Sequence, residues 1–92
     1  MPNYKKKTKR RTQIINGQIK GLQKMIENDE YCIDILIQSL AIQKSLKSIS
    51  KLVLENHMQT HVADGMKTGS KQEQDILIAE LVKIYELTNN RG

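Results

Sequence analysis

The 92-residue chain has no Trp, no Phe, one Pro and one Cys. Three tyrosines are its only large aromatics, so an interior has to be built from Ile, Leu, Val and Met. The lone cysteine, Cys32, cannot close a disulfide within the chain, and no secretory signal is expected at the start. A reducing, cytoplasmic location is therefore the expectation. No apolar run approaches the roughly 20 residues of a membrane span, so no membrane partner is expected. A Gly-rich phosphate loop is missing, and no nucleophile has a base nearby in sequence. The segment "HMQTH" lacks the Glu that a zinc-protease helix carries after its first His. An enzyme is excluded on these grounds, with no catalytic residue and no organic-cofactor site assigned.

Acid is absent from residues 1–26, which hold eight Lys/Arg. The remaining 66 residues hold seven basic and ten acidic groups. A basic block ahead of a mildly acidic body fits a phosphate footprint and equally fits a solvated tail.

Apolar spacing is helical. Ile15, Ile19, Leu22 and Ile26 recur at four, three and four within 9–27. Gly17 and Gly21 weaken that helix, and they share a side where a second backbone could approach. Asn28 or Asp29 can cap a new helix. From Glu30 to about Val62 there is no Gly and no Pro, which predicts one helix of about 33 residues. Ile35, Ile42, Leu46, Ile49 and Val53 form its apolar stripe, widened by Leu36 and Leu40. "ADGMKTGSKQ", 63–72, reads as a loop broken by Gly65, Gly69 and Ser70. A third amphipathic helix follows over 73–87, with Ile76, Ile78, Leu81, Ile84 and Leu87 as its contacts. The expected fold is all-α, with three helices per chain. The expected organisation is one helical domain over 1–92, of which 1–10 form a basic flexible arm.

"ENHMQTH" places His57 and His61 four positions apart, and Cys32 lies 25 positions upstream. Along one straight helix that separation is about 37 Å, whereas metal–ligand bonds are about 2.0–2.3 Å. Thiol and imidazoles can meet only if two long helices run antiparallel, crossing near residue 45. A two-fold dimer of this kind has two equal sites. One thiolate and two imidazoles suit Cu(I) first; Zn(II), or Ni(II) and Co(II) with more donors, remain open.

"GQIKGLQKMIENDEYC" followed by "ENHMQTHV" resembles the CsoR/RcnR family of bacterial sensor repressors, from about Arg11 to Tyr85. The resemblance implies an antiparallel four-helix-bundle dimer that pairs into a homotetramer. It also implies binding of operator double-stranded DNA without a helix-turn-helix, and release by an inducer at an intersubunit site. Cys32 matches the family's cysteine ligand and His57 its first histidine ligand. His61 stands where copper sensors usually carry a second cysteine; a histidine there is similar to the nickel/cobalt branch and to some copper-responsive members. The nickel/cobalt branch has a further histidine near its N-terminus, and this chain has none. Tyr31 and Glu80 match positions that stand behind the ligands in the copper branch. Arg11 matches a basic position of the first helix. Ser48 stands where the family commonly has an arginine, with Lys47 adjacent.

The expected function is a transcriptional repressor that binds its operator when metal-free and leaves it on taking Cu(I) at Cys32, His57 and His61. Lys7, Lys9, Arg10, Arg11, Lys20, Lys44, Lys47 and Lys51 are the expected DNA contacts. Two alternatives stand beside it. One is a formaldehyde-responsive repressor of the same family using Pro2 and Cys32; the other is a nonspecific architectural DNA-binding protein.

Overall fold

A computed structural model describes residues 3–89, and nearly all of them are helical. Helix α1 spans Tyr4–Glu27, α2 Cys32–His57, α3 Ala63–Thr68 and α4 Lys71–Asn89; Met58–Val62 form a π-helical turn between α2 and α3. No strand occurs among the described residues. The three long helices are those expected from the apolar spacing, and the all-α class holds.

Two segments differ from expectation. The stretch expected as a flexible arm is helical from Tyr4 onward. Lys and Arg are good helix formers, and no Gly or Pro interrupts residues 4–16. The stretch read as a loop over 63–72 contains α3, and its break is confined to Gly69 and Ser70. A helix already running through the π turn tolerates Gly65 at a cost of about 1 kcal/mol.

The chain groups into two compact units, Met1–Asn56 and His57–Gly92. In the first, α1 and α2 form an antiparallel hairpin. Arg11 Nη1 donates to Ser48 Oγ at the open end, and Gln38 Nε2 donates to the Gln18 carbonyl 3.2 Å away, nearer the turn. Ile15 and Ile42 are buried between the two helices, and Leu52 is buried further along α2.

The turn has a specific chemistry. Asn28 and Asp29 do not cap α2; they end α1. Asp29 takes a left-handed backbone, φ 51°, so that its N–H reaches the Ile26 carbonyl at 3.1 Å and the Glu30 N–H reaches Met25 at 3.0 Å. This pair of bonds satisfies carbonyls that the helix end would leave open. Tyr31 immediately precedes α2, its carbonyl accepting from the N–H groups of Asp34 and Ile35 at 3.0 and 3.2 Å. No backbone uses the space at the helix glycines: a Cβ on Gly17 would meet nothing within 4 Å, and one on Gly21 only the Gln38 side chain.

In the second unit, Ser70 Oγ accepts from the Glu73 N–H at 3.2 Å and opens α4. The four residues "SKQE" carry the Ser-x-x-Glu pattern of such a start. α3 packs on α4 through Gly65, where an added Cβ would come within 2.3 Å of Leu77 Cδ1. Leu77 and Leu81 are the half-covered apolar residues of α4, whereas Ile76, Ile78, Ile84 and Leu87 are exposed. Of the contacts expected for this helix, only Leu81 is packed; the face is set by where α3 lies. No described helix is long and apolar enough to cross a membrane.

Candidate metal centre and nucleic-acid face

Cys32 is the first residue of α2 and His57 the last. The Cys32 thiol is free and exposed. His57 is half-buried, and His61 is exposed within the π turn. A helix of this length holds its first and last residues about 37 Å apart. Among the described residues, no three His, Cys, Asp or Glu side chains gather closely enough to hold a metal ion. Two of the three expected ligands do come together. The His57 and His61 rings lie 5.1 Å apart between centroids, tilted by 30°. Two imidazoles at that spacing leave room for one small ion between or beside them, and a thiolate would complete a soft set.

The surroundings of the ligands are unevenly anticipated by the sequence. Tyr31 precedes Cys32, and its side chain is exposed. Glu80 is exposed on α4. Unanticipated is Thr60, whose Oγ1 lies 3.2 Å from His61 Nδ1. A hydroxyl next to a histidine in sequence is a weak signal, because adjacent residues on an α-helix do not face each other. Pro2, which the formaldehyde alternative requires, lies outside the described residues.

The basic residues divide between the two helices of the hairpin. Lys7, Lys9, Arg10, Arg11 and Lys20 are exposed on α1, and Lys44, Lys47 and Lys51 are exposed on α2. Lys51 Nζ stands 4.0 Å from Glu55 Oε1, a solvated pair worth little. Arg11, Ile14, Lys44, Ser45 and Ser48 line a groove of about 300 Å³. The bond from Arg11 to Ser48 crosses it and holds the guanidinium in the groove that Lys44 also lines. A second groove, about 580 Å³, is lined by two further cations, Lys5 and Lys6, with Lys9, Asn3, Tyr4 and Asn56. The run "KKK" was the available signal for them. α1 has no acid in its first turn. Its positive N-terminal dipole and its lysines therefore reinforce one another.

Comparison with known proteins gives one picture. A family profile described as metal-sensitive transcriptional repressor matches residues 4–87. The copper-sensing transcriptional repressor CsoR of Bacillus subtilis is 40% identical over 76 residues, covering 83% of this chain and 72% of that protein. The copper-sensing transcriptional repressor RicR of Mycobacterium tuberculosis is 33% identical over 87 residues, covering 88% and 86%. Among solved structures, the copper-sensing repressor CsoR with Cu(I) from Geobacillus thermodenitrificans superposes with a TM-score of 0.78 at 33% identity, over 92% of this chain and 88% of that one.

Proposed function

This chain belongs to the metal-sensitive transcriptional repressor family, a family of non-enzymatic regulators, and from that premise we propose that it is a Cu(I)-responsive repressor. It binds operator DNA when metal-free and leaves the operator once metal is bound. The supporting observation is the placement of the donors: two imidazoles 5.1 Å apart at one end of α2, and the only thiol of the chain at the other. A set of three needs a second copy. Two α2 helices running antiparallel bring Cys32 of one protomer beside His57 and His61 of its partner, twice per dimer. Such dimers pair further into a tetramer.

Cys32, His57 and His61 would hold Cu(I), which supplies a soft ion linking a thiolate to two imidazoles. Cys32 has to give up its proton and both rings have to be neutral, so capture weakens in acid. Holding the three side chains at one point ties the start of α2 in one protomer to the π turn of the other. The DNA-binding arrangement spaces these two segments differently and loses population. The coupling is reciprocal: operator DNA weakens metal binding by the same factor, typically about 1–3 kcal/mol per site.

DNA is held by the basic hairpin. The Arg11–Lys44–Ser48 groove and the lysines of α1 meet backbone phosphates, with the arginines available for guanine. With three arginines against twelve lysines, much of the affinity is salt-dependent phosphate contact. A sharp preference for one operator over random duplex at equal salt separates this reading from an architectural DNA-binding protein.

The test is operator binding by fluorescence anisotropy with and without stoichiometric Cu(I), with Ni(II), Co(II) and Zn(II) in parallel. Wild-type protein is expected to release DNA on Cu(I) addition and to rebind when a Cu(I) chelator is added. Cys32→Ala is expected to bind the operator as wild type does and to ignore Cu(I). Unchanged wild-type affinity across all four metals removes the metal reading.

A further inference from the structure

We infer that Thr60 sets the tautomer of His61, so that this ring offers Nε2, and not Nδ1, as its donor. The inference rests on the metal reading above and adds a positioning residue to it. A thiolate at position 61 would present one donor atom. A neutral imidazole has two nitrogens, one protonated and one with a free lone pair, and the hydrogen bond made by one decides the role of the other. Thr60 Oγ1 lies 3.2 Å from His61 Nδ1. A hydroxyl can donate or accept. Were Thr60 to donate to Nδ1, that lone pair would be used and the ring proton would sit on Nε2, leaving no nitrogen for a metal. With His61 Nδ1–H donating to Thr60 Oγ1, the Nε2 lone pair is free. Nε2 is the ring nitrogen farther from the backbone, and His61 is exposed. Only the second arrangement keeps both the observed contact and a usable donor.

The contact forms inside the π turn Met58–Val62, directly after His57. Turns of this kind are rare and occur often at functional sites. The same turn carries His61 to within 5.1 Å of His57, ring to ring. A free histidine prefers its proton on Nε2, so the Thr60 contact holds His61 in the less common tautomer before any metal arrives. Partners of this type that fix ring orientation typically change metal affinity by about 10–100-fold.

The experiment is long-range proton–nitrogen correlation NMR on ¹⁵N-histidine-labelled, metal-free protein, at a pH about two units above the usual imidazole pKa. Wild-type His61 is expected to carry its proton on Nδ1. T60V, which removes the hydroxyl and keeps the shape, should move the proton to Nε2, and T60S should restore it. His57 should keep one tautomer in all three proteins. A wild-type His61 protonated on Nε2, or one protonated on Nδ1 and unmoved by T60V, overturns the inference. Cu(I) affinity, read by competition with a chromophoric chelator, should fall about 10–100-fold in T60V and stay near wild type in T60S. A Thr60-dependent tautomer with ring nitrogens that do not respond to Cu(I) supports the assignment and counts against the metal reading, so the two fail separately.

Discussion

Arg11 shows how one neighbour changes what a side chain can do. Its guanidinium is committed to the Ser48 hydroxyl across the hairpin and sits beside Lys44. An arginine at position 48 would repel it; a serine hydroxyl accepts its hydrogen bond. Arg11→Ala should therefore weaken operator binding and lower the slope of log affinity against log salt by about one, read from anisotropy titrations at several salt concentrations. Ser48→Arg should raise the same slope by about 0.9 per added phosphate contact. An Arg11→Ala protein with an unchanged slope would place the contact outside the DNA interface. The candidate ligands are legible in the sequence because Cys and His are scarce here and their chemistry is distinctive. Thr60 is not, because its role depends on a turn geometry that no spacing of residue types encodes.

Helix ends decide where these side chains stand. The α1–α2 turn puts an L-residue, Asp29, into a left-handed backbone that usually falls to glycine. Asp29→Gly should stabilise the protein by about 1 kcal/mol, and Asp29→Val should destabilise it, both read by urea unfolding. The α3–α4 joint works in the opposite sense. Gly69 has an ordinary extended backbone, but a Cβ there would come within 2.4 Å of the Gly65 carbonyl oxygen, which already accepts the Gly69 N–H at 2.9 Å. Backbone cannot swing aside as a side chain can. Gly69→Ala should cost about 1–3 kcal/mol and open the joint, visible as faster amide exchange in α3 and the start of α4. Both glycines near this joint read as loop punctuation in sequence. One of them instead sits inside α3, since a Gly–Leu77 approach is a packing fact and not a local preference.

Few side chains are buried among the described residues, and the buried apolar set is Ile15, Ile42, Leu52 and Val62. Ile33, Leu36, Ile37 and Leu40 form an exposed stripe on the first half of α2, with Leu36 at 56%, Ile37 at 58% and Leu40 at 61% exposure. An apolar stripe this continuous marks an interaction site. The occupant argued from the donor positions is a second copy, because Cys32 begins the helix that carries the stripe. Leu36→Asp with Leu40→Asp should lower the sedimentation mass toward that of one chain and abolish Cu(I) release of the operator. A variant that keeps the wild-type mass would show that the two-fold contact lies elsewhere.

Residue types and their periodicity were enough for the all-α class, the three long helices, the basic first quarter and the three soft donors. The proposed metal set would draw on a second chain, since 25 residues of helix cannot bring a thiol to its own imidazoles. These properties are local or follow from helical rise. The helix from Tyr4 follows from local propensity as well; packing assigned α3 where a loop was expected, and Leu77 in place of most of the expected α4 face. The π turn around His61 belongs with them. Each of these depends on which surface another segment covers, and a helical pattern on one strip of chain is the same whichever side its neighbour takes.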